Sequence, residues 1–133
     1  MNSTTQHSVV FPDLFGKSVV AKFDEPHASS DGGAVLLGAA DKRLGLTKRL
    51  ADCLSDERQA GKIVHGLDEL VRQRVFAIAC GYPDTNDAAR LADDPIHKLL
   101  LGRDPVDGEG LASQPTLSRF ENSTGRRDAY RLG

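Results

Sequence analysis

Tryptophan is absent from the 133 residues, and five phenylalanines and two tyrosines make up the aromatic set. A core must therefore be built from Leu, Val, Ile and Ala. Cysteine is nearly absent too. Cys53 and Cys80 each stand alone in an apolar pattern, too few for a disulfide framework or a cysteine-based zinc site, and they fit a reducing, cytoplasmic setting. No apolar run approaches the ~18 residues that span a bilayer. The opening MNSTTQHSVVFPDLFGKS lacks the positive start and apolar centre of a secretory signal. A basic excess is also missing, since 17 Lys and Arg face 19 Asp and Glu for a formal charge of −2. That excludes a uniformly basic, nucleic-acid-coating surface. Basic residues do exceed acidic ones in 42–74, by three, and in 111–133, by two. These segments are candidate phosphate contacts, although solvated helix faces explain the same charges.

The remaining pattern is mainly helical, with one or two short β-strands near the start. Residues 1–16 are polar and read as a flexible arm. KSVVAKFDE alternates like a strand of about seven residues, closed by Pro26, which has no N–H for a ladder. Ser29, Ser30 and Asp31 are candidate caps for a helix over 32–44, whose stripe would be Leu37, Ala40 and Leu44, with Gly45 as a left-handed stop. Leu46, Leu50 and Leu54 mark a second helix. Residues 63–80 carry the longest stripe, Leu67, Leu70, Val71, Val75 and Ile78, with Asp68 and Arg72 as an outer i, i+4 pair. Gly81-Tyr82-Pro83 closes it. Asp84 or Thr85 caps a short helix through Leu91, and Asp94-Pro95 starts another carrying Ile96, Leu99 and Leu100. GRDPVDGEG is a loop. SQPTLSRFEN is the last helix, capped by Ser113 or Gln114, with Leu117 and Phe120 facing inward. Residues 17–123 form one helical region, and 124–133 a tail.

Several residues invite a chemical role. Asp24, at the end of an apolar strand, has the position of a nuclease carboxylate, but paired Mg2+ ions need two or three such groups from separate elements, and only one strand is secure. Asp84, Asp87, Asp93 and Asp94 stand at helix starts, where the dipole favours negative charge. A zinc site would have to be assembled from His7, His27, His65 and His97 across distant parts of the chain. Gly32-Gly33 completes neither phosphate-loop fingerprint. The SQPTLSRFEN helix is richer. Ser113, Gln114, Thr116, Ser118 and Arg119 surround a short apolar spine, and Arg126, Arg127 and Arg131 follow. Hydroxyls at a helix start suit phosphate oxygens, while Gln and Arg suit base edges. The same residues also fit a terminal amphipathic helix, and the preceding loop is longer than the turn of a helix-turn-helix.

FDEPHASSDGGAVLL, ACGYPDTNDAARLADDPIHKLLLGR and SQPTLSRFEN, in this order, resemble the N-terminal region of bacterial insertion-sequence transposases with a DDE catalytic domain of group 1. The likeness covers about residues 19–123. It implies a parent enzyme with a ribonuclease-H-like core, whose three acidic residues bind Mg2+ to cut and rejoin DNA. The first of those acids normally follows the SQPTLSRFEN segment, so the resemblance assigns no catalytic residue, metal ligand or cofactor to this chain. The chain then reads as an amino-terminal piece, truncated before the catalytic core and inactive by itself. Its expected partners are transposon-end DNA, through Ser113, Gln114, Thr116, Ser118, Arg119, Arg126 and Arg127, and other transposase subunits, with no membrane. The alternative is a non-enzymatic helical interaction module or transposase remnant.

Overall fold

Asp94 and Pro95 show how the chain sets its helix boundaries. The Asp94 carboxylate accepts the Ile96 and His97 N–H groups at 2.9 and 3.1 Å, and Pro95, which has no N–H to lose, opens the helix. In the computed structural model, which describes residues 9–12, 18–21, 29–56, 58–123, 128 and 130, the helices are α1 (Ala34–Leu44), α2 (Leu46–Asp52), α3 (Leu67–Ala79), α4 (Ala88–Leu91), α5 (Pro95–Leu100) and α6 (Gln114–Asn122). Short 3-10 turns lie at Ala60–Lys62 and Thr85–Asp87. Two strands, β1 (Val9–Phe11) and β2 (Val19–Ala21), pair antiparallel with Val10 opposite Val20. The mainly helical class is thus as the pattern predicts. β1 lies within the stretch read as an arm, and Asp24, His27, Arg126 and Arg127 lie outside the described residues.

Local signals place most ends. Gly45 adopts φ +64°, ending α1 and opening α2 in a single residue. Gly81, at φ +95°, lets the Tyr82 N–H return to the Ala77 carbonyl at 2.9 Å and closes α3. The Asp84 carboxylate accepts the Asn86 N–H at 2.7 Å. Helix α3 begins at Leu67 rather than near 63, because Gly66 is extended (φ −64°, ψ 159°) after the Ala60–Lys62 turn. Asp68 and Arg72 form no ion pair among the described residues.

The predicted stripe of α1 faces the other way, and that of α2 does so in part, since Leu50 and Leu54 are half-buried. In α1 the buried residues are Ala34, Val35 and Gly38, while Leu37 and Leu44 are exposed. In α2 they are Thr47 and Ala51, with Leu46 exposed. The cause is polar. The Asp41 carboxylate accepts both the Thr47 N–H, at 2.8 Å, and the Thr47 hydroxyl, at 2.6 Å, which turns Thr47 inward across the Gly45 corner.

Helix α3 packs against α1, α2, α5 and α6. One core cluster joins Ala34, Phe76, Leu100, Leu101 and Leu111; a second joins Leu70, Ala88, Ala112 and Leu117, with Phe120 against it. The loop between α5 and α6 is tied down along its length. Asp104 accepts the Val106 and Asp107 N–H groups at 2.9 and 2.8 Å, and Arg103 reaches Glu69 at 3.1 Å and the Glu109 carbonyl at 3.2 Å. Gly108 has no room for a side chain, since a Cβ there would sit 2.4 Å from the Asp104 carbonyl oxygen and 2.8 Å from its nitrogen. Gly108→Ala must push backbone aside. It should lower stability by roughly 1–3 kcal/mol, the range of overpacking, measured as the shift of a urea midpoint.

Candidate functional site

Helix α6 owes its position to residues a helical pattern would leave in solvent. Gln73 of α3 is 4% exposed. Its Nε2 donates to the Ala112 carbonyl at 3.0 Å, and its Oε1 accepts the Ala112 N–H at 3.1 Å. This two-bond clamp fixes the backbone one residue before the helix cap. Arg74, also buried, donates to the Pro83 carbonyl at 2.8 Å and to the Asp84 carbonyl at 3.4 Å, and pairs with Glu121 of α6. Leu117, 2% exposed, seats the helix on Leu70, Ala88 and Ala112, with Phe120 beside it. Leu117 and Phe120 are therefore the inward pair that their spacing predicts.

The polar residues of α6 divide between two faces. Ser118 is half-buried, and its hydroxyl lies 3.1 Å from that of Thr85, while Gln114 Nε2 donates to Ser118 Oγ at 3.1 Å. Both side chains serve to dock the helix on the Thr85–Asp87 turn, where sequence spacing alone had pointed them outward. Ser113 occupies the cap position without capping. Its hydroxyl meets that of Thr116 at 3.1 Å. Ser113, Thr116 and Arg119, three residues apart, share the remaining edge, with Ser113 and Arg119 exposed.

Thr116 and Arg119 border a groove of about 630 Å3 whose opposite wall is the segment between α2 and α3, including Arg58, Lys62 and His65. Arg58 is engaged by Asp56, at 2.8 and 2.7 Å. The Arg58 hydrogen bonds hold the Asp56 carboxyl below the usual carboxylate range, and Asp56 in turn raises the guanidinium. Lys62 and Arg119 pair with no carboxylate among the described residues. The groove thus joins both segments in which basic residues outnumber acidic ones. The α2–α3 wall was missed as a partner of α6, and its signal, the basic excess of residues 42–74, was visible in the charge distribution.

A second polar cluster lies at the other end of α3. His97, 2% exposed, places Nε2 2.9 Å from the Asp31 carboxylate, which also accepts the Tyr82 hydroxyl at 3.4 Å. The Ser29 hydroxyl reaches both oxygens of Asp94 at 2.9 Å. None of Ser29, Ser30 and Asp31 caps α1 with its side chain. Instead, Ser29 and Asp31 bind this loop to α5.

The family profile described as Transposase DDE domain group 1 matches residues 11–133. No curated protein and no solved structure matches the chain.

Proposed function

The chain belongs to the group 1 DDE transposase family, and on that premise we propose that it contributes to transposition by holding transposon-end DNA along the outer edge of α6. The observation that carries the reading is the division of α6 into a docked face, Gln114, Leu117, Ser118 and Phe120, and an outer edge of Ser113, Thr116 and Arg119 beside a groove with Lys62 on its far wall. A helix start presents N–H groups without intrahelical partners, which suit phosphate oxygens. Arg119 is long enough to reach either a phosphate or the edge of a guanine. Arg126 and Arg127 would extend the basic character beyond the helix. Gln114 and Ser118, occupied with each other and with Thr85, act in this reading by orienting the helix. No helix among the described residues is long and apolar enough to cross a membrane. No residue of the chain is proposed as catalytic.

The test is the affinity of wild type and Arg119→Ala for duplexes carrying candidate end sequences and for scrambled duplexes, at two salt concentrations. If Arg119 reads a base, the substitution costs ~1–3 kcal/mol on end DNA and relaxes preference at one position. If it touches phosphate only, binding weakens on all sequences and the salt slope falls by about one. Unchanged affinity on both DNAs, with the fold intact, removes α6 from the interface. A second reading, a helical module that binds other protein subunits, is favoured by the exposed Leu36, Leu44 and Leu46 around the α1–α2 corner. It predicts self-association that weakens on Leu44→Glu.

A further inference from the structure

Asp31, Cys80 and His97 come from three separate elements: the loop ahead of α1, the end of α3, and α5. One ligand atom from each lies within 4.8 Å of the other two. We propose that these three side chains form a zinc site, with Cys80 Sγ, His97 Nε2 and one Asp31 carboxylate oxygen as ligands and water in the fourth position. The site is independent of the DNA contact proposed for α6.

The donor set suits Zn2+, which takes sulfur, nitrogen and oxygen together in tetrahedral geometry. Bonds of ~2.0–2.3 Å place tetrahedral ligand atoms about 3.3–3.6 Å apart. The Asp31–His97 separation of 2.9 Å must therefore open by a few tenths of an ångström, and the sulfur, which lies within 4.8 Å of both ligand atoms, must settle at the tetrahedral distance. Side-chain torsions can supply movements of that size. His97 is buried and packed edge-on to Tyr82, with ring centroids 6.0 Å apart, so its ring is held in place. Tyr82 donates to the other Asp31 oxygen at 3.4 Å and lies under the Arg90 guanidinium, 5.0 Å from the ring centroid. A hydrogen-bonded carboxylate is the outer support that metal ligands usually have.

The electrostatics agree. Neither Asp31 nor Asp94 forms an ion pair with a lysine or arginine among the described residues. Burial pushes the Cys80 thiol above its ordinary value, and the charges of Asp31 and Asp94 push it further. A bound cation reverses each of these effects, because it supplies the missing positive charge and stabilises the thiolate. On binding, the Cys80 S–H bond breaks and its proton leaves to solvent as the S–Zn bond forms. In the free chain His97 Nε2–H donates to the Asp31 carboxylate; on binding, that proton leaves Nε2 as the ring takes up one on Nδ1, and the freed Nε2 lone pair takes the metal. Affinity must therefore fall as the pH is lowered. Since the ligands join three elements, the ion would fasten the loop before α1 to the ends of α3 and α5.

The experiment uses the full chain, reduced and stripped of metal, titrated with Co2+ as a coloured substitute and then with Zn2+. The expected result is one Co2+ per chain, with near-ultraviolet thiolate-to-cobalt absorption that Zn2+ abolishes. A Zn2+-dependent rise in the thermal midpoint should accompany it. Cys80→Ser should lose the thiolate absorption and weaken Zn2+ binding by at least about tenfold. Cys53→Ser should retain both. His97→Gln should also lose binding but disturbs a buried hydrogen bond, so Cys80→Ser, at a half-exposed position, carries the test. Absence of thiolate absorption in wild type, or absorption that survives Cys80→Ser, would overturn the proposal.

Discussion

Gln73→Leu is expected to lower the stability of the chain by roughly 2–6 kcal/mol. The two hydrogen bonds from Gln73 go to the N–H and carbonyl of Ala112, which is fully buried. Leucine has about the right volume but no polar atoms, so both backbone groups lose their partner where water cannot replace it. Each orphaned group costs about 1–3 kcal/mol. Gln73→Glu keeps an acceptor for the Ala112 N–H but must bury either a carboxylate facing the Ala112 carbonyl or a protonated carboxyl that donates to it, so its cost should grow as the pH is raised. Urea unfolding of both variants is the measurement, with the midpoint moving and the slope unchanged. A loss below ~0.5 kcal/mol for Gln73→Leu would show that the clamp does not hold the entry to α6.

Leu70→Ala should cost about 2–5 kcal/mol, the range for truncating a buried leucine. Leu70 is 1% exposed and lies under Leu117, so the cavity would form beneath α6 as well as within α3. Leu36→Ala removes the same atoms from a side chain that is 63% exposed, and should change stability by no more than ~0.5 kcal/mol. The contrast tests which leucines form the core. Equal losses for the two would contradict the packing described for α1. Because Leu70 supports the helix proposed to meet DNA, Leu70→Ala should also weaken DNA binding without removing any contacting group.

The difference between these leucines marks where sequence reasoning succeeded and where it stopped. Several helix ends were legible because their signals are local, although the starts of α1, α3 and α6 lack the expected caps or bounds. Asp94 and Pro95, Asp84, Gly45 and Gly81 each act within a few residues of themselves. The buried faces of α1 and α2 were not. Leu37, Ala40 and Leu44, then Leu46, Leu50 and Leu54, announced one face, but the Asp41–Thr47 hydrogen bonds turn the neighbouring face inward, and small residues pack there. Gln73 and Arg74 look like solvent-facing helix positions. Their partners, Ala112 and the Pro83 carbonyl, lie 39 and 9 residues away, beyond the reach of periodicity. The same holds within the candidate site. Leu117 and Phe120 could be assigned from spacing, while the inward turn of Ser118 depends on Thr85, 33 residues earlier. Of the second polar cluster, Asp94 was read from the sequence only as a helix start, and His97 as a histidine far from any other ligand. Its other members, Asp31 and Cys80, are joined only by the fold.

Amide hydrogen exchange of the chain with and without end-sequence duplex DNA tests the central claim most directly. The first-turn amides of α6, Gln114 and Thr116, lack intrahelical acceptors and should exchange fast in the free chain. DNA should slow exchange there and along the Arg58–Lys62 wall, with a smaller effect at moderate salt than at low salt. Protection confined to the α1–α2 corner, with the start of α6 unchanged, would contradict the account.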